Sequence, residues 1–138
     1  MRIENLDKLM RFIRNLGRLP DLASKAFAEE ILSEAVEKAP KRSGRLRRSI
    51  RLKRRRSGYE VSMGGSEAPY APYVEYGSRP HLIRARRSRA LRFEVRGQLV
   101  YAKYVEHPGA KPQRILASAI SAASRNMRDV FGRLLEEI

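Results

Sequence analysis

The chain predicts an α+β fold, with an antiparallel sheet of about four strands in two hairpins packed against an N-terminal helix and a long C-terminal helix. Three observations lead there. Apolar residues recur every three or four positions towards both ends of the chain, short runs in the middle alternate apolar with polar residues, and Gly- or Pro-containing turns separate those runs. Helical and strand patterns that are segregated rather than alternating argue for helices on one face of an antiparallel sheet. At 138 residues and 42% apolar composition, one domain over residues 1–138 is expected.

The first segment places Ile3, Leu6, Leu9, Met10, Ile13 and Leu16 on one helical face. Gly17 and Pro20 are expected to interrupt it. A second helix then runs from an N-cap at Asp21 to about Lys38, with Leu22, Ala26, Ile31, Ala35 and Ala39 as its stripe and Pro40 as its stop. After the Ser43-Gly44 turn, Ser49 to Lys53 and Tyr59 to Met63 alternate as two half-buried strands about a Ser57-Gly58 turn. Gly64-Gly65 breaks the pattern. Pro69 and Pro72 leave Ala68 to Tyr76 open between a short helix and an edge segment. Arg79-Pro80 opens a basic loop. A second hairpin follows, Ala90 to Val95 and Gln98 to Val105 about Arg96-Gly97. The last helix starts near Pro112 and runs to the end, its stripe made by Leu116, Ile120, Ala123, Met127, Val130, Phe131, Leu134 and Ile138. Tyr73-Val74-Glu75 and Tyr104-Val105-Glu106 echo each other, but one pair is no repeat array.

Charge is the second strong signal. The formal net charge is +15, and Arg supplies 23 of the 30 basic residues. No acid falls between Lys38 and Tyr59, where Arg47, Arg48, Arg51, Arg54, Arg55 and Arg56 crowd together. None falls between Tyr76 and Phe93 either, where Arg86 and Arg87 sit. A concentrated positive field predicts a polyanionic neighbour more readily than an even sprinkling does. Contact with nucleic-acid phosphates would be salt-dependent and largely blind to sequence. Tyr59, Tyr70, Tyr73 and Tyr76 lie near the blocks and are candidates for stacking on bases. Two other uses stay open: pairing with acids of a neighbouring subunit, and a plain solvated face. No recognition-helix, zinc-finger or ribonucleoprotein signature points to specific readout.

Catalytic chemistry finds little support. With no cysteine, disulfides, thiolate metal sites and thiol catalysis are excluded. His81 and His107 are isolated next to prolines and read as loop residues. A metal site shared with Glu75 and Glu106, and hence a metal-dependent nuclease, is the enzymatic alternative, although no ligand spacing marks it. Ser43, Ser66 and Ser78 lack a nucleophile-elbow context, and no phosphate-cradling loop is present. No enzyme, cofactor or metal is therefore expected. No apolar run approaches the roughly 20 residues that span a bilayer, and the amphipathic start with Glu4 and Asp7 does not read as a signal peptide.

Four motifs, in order, carry a resemblance. Ala39-Pro40-Lys41-Arg42-Ser43-Gly44-Arg45-Leu46-Arg47-Arg48-Ser49-Ile50 resembles the "AP-x-x-[TS]-G-x-L-x-x-S-I" stretch of the head–tail joining, neck or tail-completion proteins of long-tailed bacteriophages. Tyr70-Ala71-Pro72-Tyr73-Val74-Glu75-Tyr76-Gly77-Ser78 is similar to that family's "YA-x-[YF]-[VL]-E-[YF]-G-T". Ala90-Leu91-Arg92-Phe93, Gly97, His107-Pro108-Gly109, Pro112 and Ala119 resemble its later motifs, and Ile3 to Leu9 its usual opening. Ser43 and Ser78 stand where Thr is commoner, and the basic density from Arg45 to Arg56 exceeds the family pattern, as in a specialised viral or provirus copy.

The resemblance implies a non-catalytic virion subunit, assembled in the host cytoplasm. It implies a homo-oligomer, usually a hexameric ring, between portal or connector and tail proteins, with DNA passing through the lumen and no membrane. Such a ring would give the Arg blocks a DNA-facing or intersubunit place, with Glu75 or Glu106 as acidic partners. Gly44, Leu46, Tyr70, Ala71, Glu75, Gly77, His107, Pro108 and Gly109 are the motif residues to locate. A free protein that coats nucleic acid non-specifically is the alternative.

Overall fold

In the computed structural model, residues 4–136 are described. Ile3 and Ile138, expected at the ends of the two apolar stripes, lie outside them. The fold is α+β, as the patterning predicts. It divides into two compact units, Met1–Ala71 with Arg114–Ile138, and Pro72–Gln113.

The first unit is built on one helix, α1 (Glu4–Lys38), 35 residues long with Pro20 inside it. The expected interruption is absent. An interior proline costs about 3 kcal/mol through a lost hydrogen bond and a clash with the preceding turn. The apolar phase, however, runs through it: Leu9, Ile13, Leu16, Pro20, Ala23, Phe27 and Ile31 follow at spacings of three and four. A short helix, α2 (Arg45–Ser49), and the hairpin β1 (Arg51–Arg55) and β2 (Gly58–Ser62) follow. Arg55 pairs with Gly58, so Arg56-Ser57 form the two-residue loop and Gly58 opens the strand rather than closing the turn.

The chain returns to this unit as two helices, not one: α4 (Ile115–Arg125) and α5 (Met127–Glu136). Side-chain bonds gather at the break. Ser121 and Ser124 donate to the carbonyls of Ala117 and Ile120 at 3.1 and 2.8 Å, which bends helices, and the Asn126 amide donates to Glu30 on α1 at 3.0 Å. The core where α1 meets α4 is made largely of alanine: Ala28, Ala35, Ala119 and Ala123 are buried, with Ile115 the large side chain most completely enclosed. Small residues let helix backbones approach closely, but they remove little apolar area from water.

The second unit carries α3 (Ala71–Tyr76), which starts at the boundary, then β3 (His81–Arg84), β4 (Leu91–Val95), β5 (Gln98–Ala102) and β6 (Tyr104–His107). β4 and β5 form the expected hairpin. Arg96 and Gly97 both have positive φ (49° and 81°), the signature of the two-residue turn that matches strand twist. The rest departs from expectation. Lys103 separates β6 from β5, and β6 pairs with β3, which sequence reading placed in the basic loop. Among the described residues the strands thus form three separate two-stranded ladders, six strands in all, rather than one sheet of four. β3 offers only Leu82 and Ile83 as apolar residues, too short a run to show period, and its partner lies far along the chain.

Candidate nucleic-acid interface

The first family-like motif is a structural latch. Gly44 caps α2 with φ 67°, and a Cβ there would stand 2.9 Å from an Arg48 guanidinium nitrogen. Leu46, Ser49 and Ile50 point inwards and are buried. Ser49 Oγ donates to the Leu46 carbonyl at 2.6 Å and accepts the Gly64 N–H at 3.1 Å, tying α2 to the Gly64-Gly65 turn. Ser49→Ala would leave that Gly64 donor without its side-chain acceptor, so the urea midpoint should fall by the equivalent of about 1–3 kcal/mol. An unchanged midpoint would show that the latch bears no load.

Turning these residues inwards sends their neighbours outwards. Arg45 and Arg48 leave α2 on the solvent side, and Arg51 and Lys53 leave β1. Together with Glu67 and the backbone of Gly64-Gly65 they line two adjoining clefts of about 500 Å³ each.

The six Arg residues singled out in the first block do not share one role. Arg47 donates through Nε to the Val36 carbonyl at 2.9 Å and braces α2 against α1. Arg51 meets Glu67 at 2.5 Å. Arg54 makes paired bonds to Asp21 at 3.1 and 3.2 Å, donates to the Tyr59 hydroxyl at 2.8 Å and stands over that ring. Arg55 bonds both Glu60 oxygens at 2.8 and 2.9 Å. The Arg55 hydrogen bond holds the Glu60 carboxyl below the usual glutamate range, and the Asp21 bond raises Arg54 further. Acids from neighbouring elements therefore answer a block that has none of its own. Among the described residues, Arg48 and Arg56 show no ion pair, and neither do Arg45 and Lys53, which sequence reading left out of its selection. With Lys41 and Arg42, exposed on the loop before α2 and equally without an ion pair, they are the cations of this block whose side chains have no partner among the described residues. Tyr59, held by Arg54, is unavailable for stacking.

In the second unit, Arg86 and Arg87 are exposed between β3 and β4 without an ion pair among the described residues. Here too the motif residues are structural. Ser78 and Ala110 exchange backbone hydrogen bonds at 2.9 and 3.0 Å, and this bridge brings Gly77 and Gly109 against opposing backbone. A Cβ on Gly77 would stand 2.5 Å from the Ala110 oxygen, and one on Gly109 2.3 Å from the Ser78 oxygen. Pro108 precedes that approach, and the Gly109 N–H donates to His107 Nδ1 at 3.0 Å.

His81 and His107 are not loop residues. They face each other across the β3–β6 ladder with ring centroids 5.0 Å apart. Glu106, adjacent to His107 on β6, projects to the opposite face of the ribbon. Among the described residues no group of three or more His, Cys, Asp or Glu is placed to hold a metal. Glu75 is only 6% exposed and engaged within the chain, so it does not serve as a surface acid for a neighbour, whereas Glu106 is exposed. Ala71 is buried, Tyr70 is partly exposed, and Tyr73 and Tyr76 stand well out at 62% and 80% exposure. Tyr101 and Tyr104 are equally open and were not selected from sequence. Their one signal was the echo of Tyr73 in Tyr104.

No helix among the described residues is long and apolar enough to cross a membrane. No curated protein and no solved structure gives a significant match to the chain. The family model described as "Bacteriophage HK97-gp10, putative tail-component" matches residues 7–77, from the first turns of α1 to the end of α3. That span takes in the α2 latch, the β1–β2 hairpin and the Tyr70–Gly77 motif, and it covers half of the sequence: the chain belongs to the HK97-gp10-like family of phage tail components, a structural family of the virion.

Proposed function

We propose that this tail component is a ring-forming subunit at the junction of portal and tail, with its unpaired cations turned towards the DNA that passes through. One observation carries the reading: the buried core is mostly alanine, while large apolar side chains stand exposed on both units, among them Leu9, Ile13, Leu82, Leu99, Tyr101 and Leu135. A monomer that hides its small residues and shows its large ones gains its remaining apolar burial by association. A closed ring needs two different, complementary faces on each subunit. The cleft lined by Arg45, Arg48, Arg51 and Lys53 supports the DNA-facing part, since a backbone-tracking wall requires charge without base readout.

Mass measurement in solution at increasing concentration tests the ring. A discrete closed oligomer, six copies by the family resemblance, is expected. A protein that stays monomeric at every concentration while coating DNA would favour the free nucleic-acid-binding reading, for which the open Tyr76 and Tyr101 rings are the supporting feature.

A further inference from the structure

The N-terminal half of α1 presents an apolar surface that nothing in its own unit covers. Leu6, Leu9, Met10, Phe12, Ile13 and Leu16 are each 40–53% exposed. They extend in phase the stripe that α4 and α5 cover further along the same helix. Six such side chains leave roughly 600 Å² of apolar surface open, at the upper end of what a monomer shows without using it. The two halves of the helix also differ in charge. The first half carries Lys8, Arg11, Arg14 and Arg18 against Glu4 and Asp7, whereas the second half carries Asp21, Glu29, Glu30, Glu34 and Glu37 against Lys25 and Lys38.

The same unit offers a seat. α1 and α5 enclose a groove of about 300 Å³ lined by Ala26, Glu29, Glu30, Val130, Arg133 and Leu134. Phe131 and Leu135 are exposed on α5, Leu135 at 59%. Asp129 and Glu136 add acid on that helix, and Arg133 and Arg128 are its cations. The groove is large enough for one or two aliphatic side chains. Within the chain Glu29 meets Lys25 at 3.6 Å and Glu30 accepts from Asn126 at 3.0 Å, single contacts that leave each carboxylate a further oxygen for the cations of the first half of α1.

We propose that the basic, apolar first half of α1 is an arm that docks on the α1–α5 groove of a second copy of this chain. Donor and seat are different surfaces, so each copy gives an arm to one neighbour and receives one from the other, which is the heterologous geometry that closes rings. The proposal rests on the ring reading for its stoichiometry and not for its contact. Seating the arm buries its stripe, and with the groove side the contact reaches about 1,000 Å² in total, the threshold for a specific interface. Stripe against stripe would bury similar area but would set like charges side by side.

The absence of cysteine makes the test direct. Full-length Ile13→Cys and Leu135→Cys proteins are mixed, oxidised and resolved without reductant. A covalent pair containing one copy of each is expected, and adding Arg11→Glu with Arg14→Glu should reduce its yield about tenfold. Reversing Glu29 and Glu30 to Lys on the receiving copy should restore it. A disulfide in Ile13→Cys alone, with none in the mixture, would overturn the proposal in favour of stripe-on-stripe pairing. No disulfide from a protein whose mass remains that of a ring would overturn the arm and leave the ring standing. The mixed disulfide in a species that is never larger than a dimer would keep the arm and remove the ring. Flotation with anionic phosphatidylglycerol vesicles, lost in Ile13→Asp and without the mixed disulfide, would assign the stripe to a lipid surface instead and overturn the proposal.

Discussion

Gly109→Ala should lower the melting temperature by about 10 °C or more, a loss of about 3–5 kcal/mol. Two penalties coincide at this position. Its φ of +87° strains any L side chain, and the new methyl would lie 2.3 Å from the Ser78 carbonyl oxygen and 3.0 Å from the Arg79 carbon and the Pro80 nitrogen. These neighbours are backbone atoms within a hydrogen-bonded bridge, so relief means breaking the Ser78–Ala110 exchange. Gly97→Ala is the control: its φ is +81°, but nothing lies within 4 Å of the added methyl. It should cost only about 1 kcal/mol. Thermal unfolding gives the totals, and amide exchange on β3 and β6 should show the Gly109 loss centred on that ladder. Equal effects from the two variants would mean that the close approach contributes nothing.

Removing four unpaired cations of α2 and the β1–β2 hairpin, Arg45, Arg48, Lys53 and Arg56, as alanine substitutions should weaken duplex DNA binding about a hundredfold near 0.1 M salt and reduce the salt slope by about four. Arg54→Ala with Arg55→Ala removes as much formal charge per residue from the same block. It should cost no more than about threefold, because those guanidiniums already face Asp21 and Glu60. The contrast separates site from composition. Fluorescence anisotropy with a random-sequence duplex across a salt series measures both quantities. Losses that simply follow the number of charges removed would return the basic block to a diffuse field and take the DNA-facing role away from the cleft.

Local pattern revealed the fold wherever partners are near in sequence. The β1–β2 and β4–β5 hairpins were legible because alternation and a two-residue turn determine them together. Pro20 misled because a local breaker was weighed without the apolar phase that crosses it, and the division of the last helix at Asn126 was masked by an unbroken stripe. β3 was illegible, and the start of β6 was read as the end of the second hairpin, because their mutual pairing is long-range and their apolar runs are short. The site was legible as a block and not as residues. Counting acids along the chain found the basic stretch, but Asp21, Glu60 and Glu67 reach it through tertiary structure. Most of the motif residues named from the sequence serve the backbone: Gly44, Gly77 and Gly109 permit turns or close approach, and Leu46 and Ala71 fill space.

The second unit begins and ends at one place. The Gln113 N–H donates to the Val74 carbonyl at 2.8 Å, so the entrance and the exit of residues 72–113 are fastened together. Lengthening or exchanging what lies beyond that clasp leaves both attachment points where they were. Residues 72–113 therefore form a cassette that can change in length or content without asking the helical unit to repack.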